Sequence, residues 1–153
     1  MTTLNPNLRL RPAARLIVLD PEGRALMFRY DVPGRDPFWV TAGGEVEPGE
    51  TFEDAARREL LEETGCEAAR WRTLGSVAPN PAVHDNLCHM YLAEGVERVQ
   101  EPSLDEGEDL ETLWMTAEEV RAAVADGTIH SALAVAALAR VLDLRVAAPE
   151  PAD

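Results

Sequence analysis

The stretch from residue 44 to residue 66 constrains this chain more than any other part of it. Its apolar residues recur at helical spacing, which predicts an α-helix that ends at Gly65. On such a helix Glu59, Glu62 and Glu63 stand at positions i, i+3 and i+4, so they project from one face. Three crowded carboxylates repel one another and destabilise the helix. A hard divalent cation that prefers oxygen ligands explains why they are placed together.

Residues around this helix strengthen the interpretation as a metal site. Arg58 lies four residues before Glu62, so an ion pair would hold that carboxylate in place. Gly43 and Gly44 precede the helix and permit unusual backbone angles and close approach to a ligand. A backbone carbonyl there would complete a metal shell. Glu50 is expected to fold back onto the same cluster.

The spacing of these residues resembles the Nudix signature, Gly-x5-Glu-x7-Arg-Glu-U-x-Glu-Glu-x-Gly-U, in which U is an apolar residue. The seven fixed positions are matched by Gly44, Glu50, Arg58, Glu59, Glu62, Glu63 and Gly65. The two apolar positions are matched by Leu60 and Cys66. The resemblance implies an α/β fold, the Nudix-type α/β/α sandwich with a mixed β-sheet. It also implies a hydrolase that cuts a diphosphate linkage in a nucleoside diphosphate derivative.

The resemblance further implies roles for individual residues. Glu59 and Glu63 would bind Mg²⁺, for which Mn²⁺ can substitute, and Glu62 would either bind or position a second ion. Gly43 would offer its backbone carbonyl. Water activated by the metal or by a glutamate would attack a phosphorus atom, while the ions neutralise charge on the phosphates. The residues expected to orient this cluster are Arg58, Glu50, Gly44 and Gly65.

The remaining chain alternates between strand-like and helix-like patterns. The predicted strands cover residues 14–19, 25–30, 38–41, 71–77, 87–93 and 113–115. The predicted helices cover residues 51–64, 116–125 and 131–142. Together they predict one layered domain over residues 10–145, between a flexible lead-in (1–9) and a flexible, proline-rich tail (146–153).

Composition narrows the functional classes. The chain has 153 residues, of which 46% are hydrophobic, and this suits one compact domain with its own core. No apolar run approaches the roughly 18 residues of a membrane span, and the first residues lack the apolar segment of a secretory signal. We therefore expect a cytoplasmic enzyme without a membrane partner. The net charge of −14, with no basic patch, argues against a nucleic-acid partner.

A small-molecule nucleotide is the expected partner. A bound divalent cation would remove the local conflict between an acidic protein and an anionic substrate. The resemblance also makes a homodimer an expectation. Cys66 and Cys88 form no Cys-x-x-Cys pair, and we expect both to be small core residues rather than metal ligands.

Two features outside the signature bear on the substrate. Pro81, fifteen residues after Cys66, resembles the ADP-ribose pyrophosphatase subgroup, or else it shapes a loop together with Pro79. Glu106 and Glu108 resemble that subgroup's acidic loop, in which one glutamate acts as general base, or else they lie in a solvated loop.

Further side chains have two interpretations each. Arg29 and Arg35 suit phosphate binding, since guanidinium groups match phosphate oxygens, but an ordinary surface position is the alternative. Phe28 and Trp39 either stack on a base or pack in the core, and core packing is favoured.

Three functions remain open at this stage. The first is hydrolysis of ADP-ribose or another nucleotide sugar, and the second is removal of pyrophosphate from nucleoside triphosphates. The third is a nucleotide-binding module without catalysis, which the intact glutamates disfavour.

Overall fold

The computed structural model describes residues 12–83, 85–104 and 110–145. The strands in these ranges are β1 (Ala13–Leu19), β2 (Ala25–Tyr30), β3 (Phe38–Val40), β4 (Ala42–Glu45), β5 (Cys66–Val77), β6 (Cys88–Arg98) and β7 (Glu111–Met115). The helices are α1 (Phe52–Thr64), α2 (Ala117–Asp126) and α3 (Ala132–Leu138). The predicted lead-in and tail, together with Glu106 and Glu108, lie outside the described residues.

The strands form one sheet with two arms. In the first arm β1 pairs antiparallel with β4 and parallel with β6, and β5 pairs antiparallel with β6. In the second arm β2 pairs antiparallel with β3 and with β7. The arms meet in the β1–β2 hairpin, where Leu19 pairs with Ala25. Asp20 stabilises this turn because its carboxylate accepts hydrogen bonds from the backbone amides of Glu22 and Arg24.

Helices cover both faces of the sheet. Side chains alternate along β1, so Leu16 belongs to the core cluster that packs against α1, whereas Ile17 belongs to the cluster that packs against α2 and α3. Leu60 is the deepest leucine of α1 and is 1% exposed. Burial of such a side chain stabilises the fold by about 1.5–3 kcal/mol. The arrangement confirms the predicted α/β/α sandwich with a mixed sheet.

Several predicted boundaries were wrong, and one strand was not predicted. Strand β6 ends at Arg98 rather than at residue 93, and β7 begins at Glu111 rather than at residue 113. Strand β5 begins at Cys66 and not at residue 71, because pairing with β6 starts there although most of its side chains are exposed. Residues 42–45, for which no strand was predicted, form β4 along β1. Helix α3 ends at Leu138 rather than at residue 142. The next residues tighten into shorter-range bonds, such as Arg140 N–H to Ala137 O at 3.1 Å.

The two aromatic side chains with two interpretations pack in or against the core. Phe28 is 1% exposed, and Trp39 packs, partly buried, against the cluster under α2 and α3. Cys88 is buried and Cys66 is half-buried, and both thiols are free. Among the described residues, no helix has the length and apolar character needed to cross a membrane.

Candidate active site

Helix α1 carries the glutamates, and its ends are fixed by local chemistry. The hydroxyl of Thr51 accepts a hydrogen bond from the amide of Asp54 at 3.1 Å and caps the first turn. Gly65 ends the helix in the left-handed region at φ 71°, and its N–H donates to Leu61 O at 2.8 Å. The helix therefore spans one residue less than predicted at its start, and Glu63 lies in its last turn.

The glutamates border a cavity of about 480 Å³, which we call the carboxylate cavity. One wall comes from α1, through Arg58, Glu59, Glu62 and Glu63. The opposite wall is β4 with the loop after it, residues 43–48. The rim is completed by Tyr30, Ser103 and Leu104. The fold thus places the signature glutamates of α1 opposite the backbone segment that begins at Gly43 and Gly44.

Both glycines are needed for this close approach. Gly43 has φ 141°, and its N–H donates to the carboxylate of Glu63 at 3.3 Å. A Cβ atom at Gly43 would overlap the carbonyl oxygen of Ala14, which is a fixed backbone atom. A Cβ atom at Gly44 would instead overlap the carboxylate of Glu59. The backbone of β4 therefore lies directly against the acidic face of α1.

Arg58 holds the acidic residues together. Its Nε and one terminal nitrogen donate to the carboxylate of Glu50 at 2.7 and 3.1 Å, and that second nitrogen also donates to Glu45 O at 3.0 Å. The other terminal nitrogen donates to Glu59 and to Glu62, at 3.1 Å in each case. The ion pair with Glu62 and the folding back of Glu50 follow the pattern expected from the sequence.

These contacts shift the acidity of the cluster. The hydrogen bond from Arg58 holds the pKa of Glu50 below its usual value, and the same pair raises the pKa of the guanidinium. Burial raises the pKa of Glu59, although the charge of Arg58 opposes that shift. One guanidinium thus faces several carboxylates, and the local surplus of negative charge suits a cation.

The residues present suit a hard divalent metal ion by their chemistry. The donors are carboxylates and backbone carbonyls, which magnesium and manganese prefer over nitrogen or sulfur. Across the described ranges no three His, Cys, Asp or Glu side chains converge on one point. Glu59 and Glu62 turn toward Arg58, and Glu63 turns toward the amide of Gly43. Metal binding by these carboxylates therefore requires rotation of their side chains.

Other residues predicted for the site lie away from the carboxylate cavity. Arg29 pairs with Glu111 at 3.2 Å and with Asp31 at 3.3 Å. Arg35 and Pro81 are exposed. None of the three predicted substrate-binding residues lines the carboxylate cavity.

The sequence interpretation assigned no role to the lining residues 45–48, which directly follow Gly44, and it missed three lining residues outside the signature, namely Tyr30, Ser103 and Leu104. Tyr30 stacks on its cross-strand neighbour Phe38, with ring centroids 5.9 Å apart. The amide of Ser103 donates to Glu62 O at 2.8 Å, which draws residues 101–104 to the end of α1. The sequence gives no signal for these contacts because they depend on strand pairing and on a loop that packs against the helix.

Comparisons with known proteins identify the family of this chain. Residues 9–136 match the NUDIX domain. The chain is 36% identical over 124 residues to the NAD-capped RNA hydrolase NudC of Mycobacterium bovis, which covers 81% of this chain and 38% of that protein. It is 29% identical over 122 residues to the ADP-ribose pyrophosphatase of Bacillus subtilis, covering 78% of this chain and 66% of that one.

A solved structure with the same fold is that of an ADP compounds hydrolase. It has a TM-score of 0.73 and 21% sequence identity, and the alignment covers 87% of this chain and 72% of that one. The fold is that of the Nudix class, whose hydrolases generally use divalent metal ions, and the glutamates of the signature are all present in this chain. The chain belongs to the NUDIX domain family. It spans less than two thirds of the length of the two relatives compared above.

Proposed function

We propose that this protein is a Mg²⁺-dependent hydrolase that cuts the diphosphate linkage of a nucleoside diphosphate derivative, with ADP-ribose as the first candidate. One observation carries the proposal. Glu59, Glu62 and Glu63 line one cavity with the backbone of Gly43, and Arg58 braces the cluster. A set of hard oxygen donors beside a cavity of about 480 Å³ suits a metal-bound diphosphate.

The proposed roles follow the positions of the side chains. Glu59, Glu63 and the carbonyl of Gly43 would hold the ion, and Glu62 would bind or position a second one. A bound divalent ion neutralises phosphate charge and lowers the pKa of water. Arg58 keeps the carboxylates in place through its bonds to Glu59 and Glu62. The general base is proposed to be Glu106 or Glu108, beyond the described residues.

The names of the compared proteins support an adenine nucleotide. One is an ADP-ribose pyrophosphatase and another an ADP compounds hydrolase. The 36% identity to an NAD-capped RNA hydrolase favours a second candidate, a dinucleotide of the NAD type. Arg29, Arg35 and Pro81 remain proposed contacts to the outer part of the substrate. The proposed setting is the cytoplasm, and a homodimer is the proposed assembly.

The first experiment is a product assay with Mg²⁺. ADP-ribose, NAD, NAD-capped RNA, other nucleotide sugars and the nucleoside triphosphates are incubated with the protein, and products are identified by mass. AMP plus ribose 5-phosphate from ADP-ribose supports the proposal. Pyrophosphate from a triphosphate would move the protein to the triphosphate hydrolases. Binding of a nucleotide without any product would favour a module that has lost catalysis.

A variant of Glu63 tests the metal assignment. Glu63→Gln keeps the side-chain size and removes the charge, so we expect at least about a hundredfold loss of turnover with little change in Tm. Glu53→Gln is the matched control, because Glu53 lies on the same helix and pairs with Arg57, outside the carboxylate cavity. Equal turnover in the two variants would refute the assignment of Glu63.

A further inference from the structure

Strand β5 forms one edge of the sheet. It stands last along the path β3-β2-β1-β6-β5, and among the described residues it pairs with β6 alone. It is 12 residues long, and none of its residues is buried. Because an antiparallel strand points its amides and carbonyls alternately to its two sides, about half of these groups face away from β6. Such a long edge can pair with a further strand.

Local contacts at both ends of β5 define the part of this edge that is regular. At the start, the amide of Cys66 donates to the hydroxyl of Thr64 at 3.1 Å. Near the other end, the amide of Gly75 donates to the hydroxyl of Thr73 at 3.3 Å, and the ladder with β6 shifts its register between these two residues. The regular segment between these contacts is residues 67–72.

The side chains of this segment face both sides of the sheet in a fixed pattern. Ala68 and Trp71, three residues apart, are half-buried and pack against the same core cluster on the α1 face. The alternation of side chains therefore shifts once between them, at Ala69, which the ladder with β6 skips. Glu67 and Arg72 are exposed and lie on the opposite face, because each is next to one of the two half-buried residues.

One antiparallel register pairs this segment with a second copy of itself. About a two-fold axis at the centre of residues 67–72, Ala68 stands opposite Trp71, and Glu67 stands opposite Arg72. Each pair occurs twice by symmetry, and the members of each pair share a face of the sheet. A shift of the register by one residue would instead place Ala68 opposite an arginine. The chosen register therefore sets a small residue against a large one and a carboxylate against a guanidinium.

A cavity of about 320 Å³, which we call the Trp71 cavity, lies between α1 and this segment. The guanidinium of Arg57 lies 4.8 Å from the ring centroid of Trp71 and pairs with Glu53, so the indole is held in place. The lining of the cavity is mixed, with apolar side chains beside two arginines and one glutamate: Leu60, Leu61, Ala68, Trp71, Arg57, Arg58 and Glu67. Trp71 of the second copy would stand opposite Ala68, beside this cavity, so pairing would cover two half-buried indoles.

The charge of the chain favours contact at this edge. Two copies that each carry a net charge of −14 repel one another, so an interface is favoured where acidic side chains are few. Residues 67–72 contain two arginines and one glutamate. Arg70 lies 4.0 Å from Glu94 of its own chain, whereas Arg72 is exposed and stands ready for Glu67 of a second copy.

We infer that two copies of this chain associate through their β5 edges, with residues 67–72 paired antiparallel about a two-fold axis. The inference assigns a surface to the homodimer proposed above, on which it rests, and it uses none of the proposed catalytic roles. Pairing satisfies backbone groups that face away from β6 and extends the sheet across both copies. The carboxylate cavity stays open in such a dimer, because none of residues 67–72 lines it.

The test is analytical ultracentrifugation of the full chain from about 1 µM to about 100 µM, where association of moderate strength is measurable. Arg72→Glu and Glu67→Arg should each raise the Kd of the dimer at least about tenfold, because two attractive cross-strand pairs become two repulsive ones. The double variant Glu67→Arg/Arg72→Glu should return to within about threefold of the unaltered protein, since the exchanged charges remain opposite. Arg35→Glu is the control, because Arg35 is exposed in the loop between β2 and β3, at the other end of the sheet.

Several outcomes would overturn the inference. One is an unaltered protein that remains a monomer over this range, and another is a dimer that neither single variant weakens. A double variant as weak as the single ones would exclude the proposed register. Formation of AMP from ADP-ribose by a protein that remains a monomer would leave the proposed hydrolysis standing.

Disulfide trapping locates the axis of the dimer directly. Ala69 lies next to the two-fold axis, so cysteines at this position in two copies fall within the Cα separation of roughly 4.4–6.8 Å that a disulfide requires. Ala69→Cys should form a covalent dimer on mild oxidation, whereas Leu113→Cys, at a 46% exposed position on β7, should not. The unaltered protein is the second control, since it contains Cys66 and Cys88. Equal cross-linking of all three proteins would overturn the inference.

Discussion

At the scale of single residues, the two adjacent glycines in β4 show how tightly the site is built. Gly43 has a positive φ and lies against the backbone of β1, where atoms have no freedom to move. Gly44 lies against the carboxylate of Glu59, the far end of a flexible side chain. A methyl group added at Gly43 would therefore clash with rigid backbone. A methyl group added at Gly44 would instead clash with the carboxylate of Glu59, a proposed metal ligand.

We expect alanine substitutions at these glycines to separate stability from activity. Gly44→Ala should displace the Glu59 carboxylate, lowering turnover at least about tenfold while Tm changes little. Gly43→Ala should lower Tm clearly as well, because its backbone strain and its overlap with Ala14 O add together. Thermal melts and product assays of both variants check this. A Gly44→Ala protein with normal turnover would contradict the close approach to Glu59.

At the scale of elements, Gly65 both ends α1 and packs against the segment that follows β6. Gly65 and Gly127 both end helices in the left-handed region, at φ 71° and 85°. A Cβ at Gly65 would overlap the carbonyl oxygen of Gln100, whereas Gly127 has no neighbouring heavy atom within 4 Å of that position. The two sites therefore share backbone strain and differ in packing against the segment after β6.

This difference predicts unequal costs for the same substitution. Gly127→Ala should lower the free energy of unfolding by about 1–2 kcal/mol, the cost of a left-handed alanine. Gly65→Ala should cost about 1–3 kcal/mol more, because residues 99–101 must shift. Urea unfolding measures both values. Equal costs would mean that this segment yields without penalty and does not help to fix the end of α1.

At the scale of the whole molecule, β6 lies between β1 and β5, and the first half of the strand is largely buried. Cys88, at its start, is 0% exposed, and burial raises the pKa of its thiol although the charge of Arg15 opposes the shift. A raised pKa leaves less thiolate at a given pH, and only the thiolate is alkylated. Reaction at Cys88 therefore requires the sheet to open.

We expect iodoacetamide near pH 8 to label Cys66 well before Cys88 in the folded protein. Cys66 is half-buried, and Cys88 is buried. In urea, both thiols should react at similar rates, because the unfolded chain protects neither. Mass spectrometry of peptides locates the label. Similar rates for the two thiols without denaturant would contradict the burial of β6.

The net charge of −14 also belongs to the whole molecule. Part of it is concentrated along the cavity face of α1, where Arg58 bonds to Glu50, Glu59 and Glu62. An anionic substrate is repelled by such a surface unless cations offset it, because like charges in a partly buried site are weakly screened. The acidity of the chain is therefore a physical reason for the proposed metal dependence, because bound metal ions would offset the repulsion of an anionic substrate.

The local parts of the structure could be predicted from the sequence. Helical spacing placed three glutamates on one face, and Thr51 and Gly65 marked the ends of the helix. The bond between Arg58 and Glu62 followed from a spacing of four residues. Such features depend on residues within about one or two helical turns, because residues that are this near in the sequence are also near in space.

Features that depend on distant segments were decided by the tertiary structure alone. Strand β5 has no buried residue, so its length comes from pairing with β6 and not from its own pattern. Leu104 and Trp114 meet beside Glu63 only because β7 pairs with β2 and the segment after β6 binds to α1. The sequence by itself determined the family, the helix and its acidic face. The carboxylate cavity arose from non-local pairing, because its walls come from segments far apart in the chain.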